Sequence, residues 1–386
     1  MIILDKPYIS EELKAYLDAS KVPVLHNSVA EEANMGHCFN LLPEEEFAAR
    51  CNNCSRLYTL SENSLEWVSQ HIQDNTLLDC IRRMKDKYAF RETLSSIYPD
   101  FFFQKVKVQE LRGVSSAALP FPIILKPAVG FFSLGVYTIT NEEDWEAAIS
   151  DIERNRESWK EAFPESVVDG AEFILEQYID GTEFAIDAYF DGEGKAVILN
   201  ILKHDFASLS DVSDRLYYTS KELILQYQKA FGDFLNEMNR FLGITNFPFH
   251  AELRVSEDGT MAPIEFNPLR FAGWCCTDLS YFAYGFQTYD YFLTGKQPDW
   301  ETLLAGKDGL IYTLIVLDKP SCYTPDDQFD YDLLEKDFEK VLCLRKLNYK
   351  EGKPFGFLFT ETRKDNQQEL QRIMHSVLTE YLYRSL

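Results

Sequence analysis

Apolar positions along the chain change period several times, and each change marks an element. MIIL is a short apolar run, ISEELKAYLDAS repeats its apolar residues every three to four positions, and KVPVL is apolar again. This order predicts strand, helix and strand, an opening βαβ unit of an open sheet. Helical patterns continue over residues 40–82, where Ser61 or Ser64 is placed to cap SENSLEWVSQHIQ. A further helix is predicted from near Lys85, ended by Pro99. LPFPIILKP reads as an apolar strand ending on Lys126-Pro127, and Asn141 is placed to cap the helix NEEDWEAAISDIERN. AEFILEQYIDGTEFAIDAYFDGEGKAVILNILK holds three strand-like runs broken at Asp180-Gly181 and at DGEG. Residues 203–219 read as a polar loop, and KELILQYQKAFGDFLNEMNRFLG as a long amphipathic helix stopped by Gly243. Beyond residue 300 the pattern predicts a strand (IYTLIVLDKP), a helix (LLEKDFEKVL), a strand (FGFLFTET) and a last helix from about residue 366.

The densest chemistry lies between His250 and Gly273. HAELRV and MAPIEF alternate like half-buried strands around SEDGT, which predicts a β-hairpin. Counting outward from a two-residue turn at Asp258-Gly259 sets Glu252 opposite Glu265 and His250 opposite Asn267. Glu265 and Asn267 then share one face. Two carboxylates directly across a ladder repel by roughly 0.2–1 kcal/mol when exposed, and by more when buried. A cation between them removes that cost. Two carboxylates and an amide oxygen form a hard-oxygen site, which suits Mg²⁺ better than Zn²⁺. Upstream, Lys126 ends a buried-looking strand, where a lysine is either paired or functional. The loop from Gly130 to Gly135 can turn backbone N–H groups toward phosphate oxygens. Glu176 and Glu183 flank the Asp180-Gly181 turn, which predicts that they lie on neighbouring strands.

Length and charge narrow the reading. A chain of 386 residues exceeds one ordinary domain. With 62 acidic against 38 basic side chains the formal charge is −24, which opposes nonspecific attraction to nucleic acid or anionic lipid. A polyanionic ligand therefore has to be met by local cations or metal ions. Acidic residues directly follow the first apolar run, and no stretch reaches the roughly 18 apolar residues of a membrane span. A cytoplasmic protein with small-molecule partners, and none in nucleic acid or membrane, is the expectation. Eight scattered cysteines fit reduced thiols better than a disulfide framework. Cys51-Asn-Asn-Cys54 lacks the second ligand pair that a zinc site needs, and Cys275-Cys276 lacks a neighbouring base, so packing roles are expected for both pairs.

Taken in order, these residues resemble the ATP-grasp superfamily over roughly residues 80–295. The match rests on Lys87, on Lys126 before a glycine-bearing loop, on Glu176 to Ile179 with Glu183 seven residues after Glu176, and on Glu265-Phe266-Asn267. The resemblance implies a mixed α/β (α+β) ATP-grasp fold in four parts. These are an N-terminal βαβ domain over 1–83, a small flap domain with its entry helix over 84–170, a core domain over 171–300 and an α+β extension over 301–386. It implies that Lys87, Lys126 and the loop residues Gly130, Ser133 and Gly135 contact ATP phosphates. Glu176, Gln177 and Ile179 meet the adenine, and Glu183 the ribose. Glu252, Glu265 and Asn267 hold two Mg²⁺ ions, for which Mn²⁺ can substitute. Arg270 and Lys126 are the implied catalytic residues, with His250, Arg270 and Trp274 on the substrate side. The implied reaction is a carboxylate–amine ligation through an acylphosphate, ATP going to ADP and phosphate. The alternatives are a non-catalytic nucleotide-binding regulator and an activation of bicarbonate of the carbamoyl-phosphate or carboxylase kind. Two departures from the family pattern stand out: Phe131 and Phe132 occupy loop positions where many relatives have glycine or serine, and Arg270 follows Asn267 by three residues, where many have two. Residues 301–386 are open to reading as a lid, a surface for a homodimer or a cap over substrate.

Overall fold

The computed structural model describes residues 1–53, 56–129, 135–162, 172–207, 213–350, 352 and 354–384, without the side chains of 156–162 and 384. At the N-terminus Ile2–Ile3 lies between Pro23–Leu25 and Tyr58–Thr59 in a parallel sheet completed by Asn40–Leu42. The crossover between the first two strands is the helix Glu11–Ser20, whose N-cap Ser10 accepts from the N–H of Leu13. The opening βαβ unit thus forms where the pattern places it. Ser61, not Ser64, caps the turn that leads into Leu65–His71.

The helix expected from near Lys85 begins at Lys87 and runs to Leu94, directly after the helix Asn75–Lys85, and it stops five residues before Pro99. Asp86 separates them because its backbone is extended and its carboxylate accepts from the N–H groups of Tyr88 and Ala89, capping the second helix. Lys87 therefore stands in a first helical turn, its N–H bonded to Ala128 O at 2.9 Å.

A small antiparallel sheet runs in the order Phe103–Lys107, Glu172–Gln177, Ile123–Pro127 and Tyr137–Ile139. Trp145, Ile149 and Ile152 of the helix Glu142–Ala162 bury its apolar side, and Asn141 caps that helix by accepting from Asp144 N–H. The larger sheet has eight antiparallel strands in the order Met261–Pro268, Phe247–Val255, Thr182–Phe190, Ala196–Asp205, Leu216–Ser220, Leu310–Asp318, Pro354–Arg363 and Val341–Lys346. Lys221–Leu242 lies on it, with Phe231 edge-on to Phe184, and ends at Gly243, whose φ of 67° costs a glycine nothing.

Several expectations are corrected here. Glu176 and Glu183 lie on successive strands, but in different sheets, because the chain crosses between the two sheets at residues 178–181. Of the polar loop 203–219, residues 203–205 and 216–219 are paired strands, and 208–212 lie outside the described residues. LLEKDFEKVL divides into the helix Tyr331–Lys336 and the strand Val341–Lys346, whose backbone pairs with Pro354–Arg363. Past residue 300, three strands extend the same eight-stranded sheet that holds the hairpin.

Register places one row of side chains on one face of this sheet. Glu252 pairs with Glu265, and His250 with Asn267 on one side and Asp187 on the other. Arg254, Glu183, His204, Tyr217, Leu314, Phe359 and Cys343 follow as successive partners across the remaining strands. Since alternate residues share a face, Arg345 lies on the same face as Glu252. Residues 271–303 then cross this face: Asp187 accepts from Ala272 N–H, and Tyr284 bonds Thr219 through their hydroxyls at 2.7 Å. Among the described residues no helix is long and apolar enough to cross a membrane.

Candidate active site

The hairpin reaches its expected register by an unexpected route. Val255 pairs with Met261, so five residues, not two, make the turn, and a bulge between Glu252 and Leu253 restores the register at Glu252 and Glu265. The bulge falls where Pro263 has no N–H to give to the ladder. The carbonyls it turns outward are met by Arg91, which donates to Pro263 O at 2.6 Å and to Ile264 O at 3.3 Å.

Arg91 is the residue that sequence reasoning missed here. It lies four positions after Lys87 on the same helix, a spacing that puts both on one side. Its Nε donates to Glu176 at 2.7 Å, and Lys126 Nζ meets the other oxygen of that carboxylate at 2.6 Å. Burial alone raises the pKa of Glu176, but Arg91 and Lys126 outweigh it and hold the group at about 2. The Glu176 carboxylate thus lies in a buried ion cluster with Arg91 and Lys126. Gln177 donates its backbone N–H to Phe102 O, and the carbonyl of Ile179 accepts from Arg254 at 2.7 Å. Glu183 accepts from Arg254 at 3.0 and 3.1 Å and faces His204 Nδ1 at 3.0 Å, and these partners overcome burial to lower its pKa.

Glu252 and Glu265 keep 29% and 25% of their side-chain surface open. Burial and then the charges of Glu265, Glu183 and Asp214 push the Glu252 carboxyl well above its usual range. Glu265 shifts the opposite way: burial is outweighed by Lys87, whose Nζ stands 3.1 Å away, by Lys126 and by the side-chain amide of Asn267, which donates at 3.1 Å. Lys87 is itself held charged against burial by Glu265, Glu62 and Glu252. One carboxylate of the pair is therefore matched by cations, and its partner is not. A proton or a cation shared with Glu265 relieves the repulsion between the two.

His250 faces this pair. Its Nδ1 bonds the fully buried Asp187 at 2.7 Å, which leaves Nε2 toward Glu252 at 3.7 Å. Asp187 also accepts from Ala272 N–H at 2.9 Å and Thr277 Oγ1 at 2.6 Å. An acidic residue four positions after Glu183, on the same face of one strand, was the signal for it. The extra residue between Asn267 and Arg270 is accounted for by Leu269, which is buried with φ of 58°. That conformation costs about 1–2 kcal/mol outside glycine. Thr59 offsets it by donating its N–H to Leu269 O at 2.8 Å. Arg270 then reaches Glu62 at 2.9 Å and Phe271 O at 3.0 Å, close enough for its charge to act on Glu252. Trp274 packs edge-on to Phe357, 5.6 Å between centroids. Gly130, Ser133, Phe131, Phe132 and Cys54 lie outside the described residues, and Gly135 has φ of 83°. Burial pushes the Cys275 thiol up to about 12, which fits packing rather than nucleophilic attack.

Residues 119–278 match the family model of the ATP-grasp domain. No curated protein sequence matches the chain. Among solved structures, the L-amino acid ligase from Bacillus licheniformis superposes with a TM-score of 0.64 at 17% identity, over 100% of this chain and 98% of that one. N5-carboxyaminoimidazole ribonucleotide synthetase from Thermotoga maritima gives 0.64 at 14% identity, over 99% and 98%. Biotin carboxylase from Campylobacter jejuni, in a complex with β-γ-ATP, gives 0.62 at 12% identity, over 100% and 92%. Residues 119–278 thus match an ATP-grasp domain, and over its length the chain shares the fold of these solved enzymes.

Proposed function

We propose that the protein is an ATP-dependent carboxylate–amine ligase acting through an acylphosphate. The observation that carries this reading is the hairpin face, where Glu252, Glu265 and Asn267 stand within reach of the charges of Lys87, Lys126 and Arg270. Its donor set fits Mg²⁺. Two carboxylates with one amide oxygen are too few for a closed protein cage, and Mg²⁺ takes its remaining ligands from phosphates and water. Among the described residues no three His, Cys, Asp or Glu side chains form a fuller metal site. The uncompensated Glu252 supplies the demand for a cation. Two Mg²⁺ ions, or Mn²⁺ in their place, when held by Glu252, Glu265 and Asn267, neutralise charge on the ATP phosphates.

The chain's own groups do the rest. Lys87 and Lys126 turn from their carboxylate partners to phosphate oxygens, joined by N–H groups of the loop from Gly130 to Gly135. The backbone of Gln177 and Ile179 meets the adenine, and Glu183, fixed by Arg254 and His204, meets the ribose. A carboxylate oxygen of the first substrate attacks the γ-phosphorus, the bond to ADP breaks, and Arg270 steadies the transferring group. An amine nitrogen then attacks the acyl carbon, the C–O bond to phosphate breaks and the amine proton leaves to water. Catalysis here is positioning and charge neutralisation. His250 and Trp274 are assigned to the substrate side, and Glu176, released by Lys126, to the adenine amine. A boundary near 83 and a place in the cytoplasm go with this reading, whereas boundaries at 170 and 300 would each cut a sheet, since Glu172–Gln177 belongs to the small sheet and the strands after residue 300 to the large one.

Incubation with Mg-ATP and a pool of amino acids and amines tests it. ADP and orthophosphate are expected. AMP and pyrophosphate, or ADP release that needs bicarbonate and no amine, contradicts the proposal.

A further inference from the structure

Trp274 and Cys275 are consecutive residues in the left-handed region, with φ of 56° and 55°. Side-chain-bearing residues stay there only where their surroundings hold them. The hold comes from the far edge of the sheet. Arg345, with 3% of its side chain exposed, donates from Nη1 to Cys275 O at 2.8 Å and from Nη2 to Asp278 at 2.6 Å and Glu12 at 2.9 Å. Its guanidinium carbon stands 4.7 Å from the Phe359 ring centre. From the other side the loop is held by Asp187, the carboxylate that also orients His250. The segment from Phe271 to Asp278 thus hangs between two buried charges, one bonded to the hairpin and one on the last strand of the sheet.

We propose that Arg345 is a positioning residue for the substrate side of the site, fixing the loop that carries Trp274 and follows directly on Arg270. The inference rests on the ligase reading for its functional consequence, but its structural half stands alone. Arg345 reaches three acceptors on two other segments, Glu12 in the first helix and Cys275 with Asp278 in the loop. A planar guanidinium spans them, and a lysine ammonium at the same place keeps the charge without the fork. The described residues that grip ATP in the proposed site lie on the helix from Lys87, the small sheet and its exit, the strand Thr182–Phe190 and the hairpin, and the hydrogen bonds of Arg345 go to none of them. Loosening the loop should therefore weaken the acid or amine substrate and spare the nucleotide.

The test uses full-length Arg345→Lys. Hydrogen exchange by mass spectrometry should accelerate at least tenfold in peptides covering 271–278 and stay within twofold in 247–268. In ADP-release assays with the amino acid that wild type accepts best, KM for that amino acid should rise about fivefold or more, with KM for Mg-ATP within twofold. Unchanged exchange in 271–278, or equal loosening of loop and hairpin, overturns the proposal, as does an equal rise in both KM values. Should Arg345→Lys fail to fold, Glu12→Gln removes one outer partner and should shift exchange and amino-acid KM the same way, by about threefold. A wild type that releases no ADP with any amino acid defeats the ligase reading and leaves the exchange result to judge the loop.

Discussion

The carboxyl groups of Glu176 and Glu252 are shifted in opposite directions, and pH separates them. The folded-state pKa of Glu176 is near 2, below its ordinary 4.5, so its contribution is complete above pH 4.5 and is lost as pH falls toward 2. The size is on the order of 3 kcal/mol. Denaturant melts of Glu176→Gln against the parent should therefore converge as pH falls from 5 to 2.5. Glu252 works with the other sign: its raised pKa means that stability declines as pH rises above the ordinary carboxyl range. Without Mg²⁺ at pH 8, Glu252→Gln should be more stable than the parent by about 1 kcal/mol while losing activity at least a hundredfold. A less stable, fully active variant would contradict the metal reading. The opposed carboxylates were legible in the sequence because a hairpin has period two and both members lie within 14 residues of each other. Arg91 and Asp187 were not legible in the same way. Their partners, Glu176 and Ala272, lie 85 residues away in each case, and only the fold brings them together.

At the scale of elements, the hairpin shows how a right register can rest on a wrong turn. The longer turn and the bulge at Pro263 cancel, and the bulge is fixed by Arg91 from the helix Lys87–Leu94. That helix thus ties together the small sheet, through Glu176, and the edge of the large one. Arg91→Met leaves Glu176 with Lys126 alone and two carbonyls without their donor. Loss of one partner from a buried ion cluster costs about 3–5 kcal/mol, and thermal unfolding should show a single transition lowered accordingly. A change below about 1 kcal/mol would mean that the cluster is not a joint. The strand order was not legible from local pattern, since neither periodicity nor turn chemistry says that strands after residue 300 join a sheet begun before residue 190.

For the whole molecule, that strand order has a consequence. Leu310–Asp318 and Pro354–Arg363 are interior strands, so a chain ended at residue 303 exposes Leu216–Ser220 as an edge and loses Arg345. Such a truncation should fail to give a cooperative melt, and a folded, cooperative fragment would show that residues 301–386 are dispensable. Mg-ATP at about 100 times its Kd should raise the stability of the full chain by about 2.7 kcal/mol, and EDTA should abolish the gain. The fold brings the charges of Lys87, at the start of its helix, and of Lys126, at the end of its strand, to Glu265 of the hairpin, and in the proposed reaction a substrate carboxylate attacks ATP there. The most direct measurement is ³¹P NMR of the orthophosphate formed from an ¹⁸O-carboxylate-labelled amino acid that supports ADP release. The account predicts orthophosphate carrying one ¹⁸O from the acid. Orthophosphate free of label, or label appearing in AMP, would contradict it.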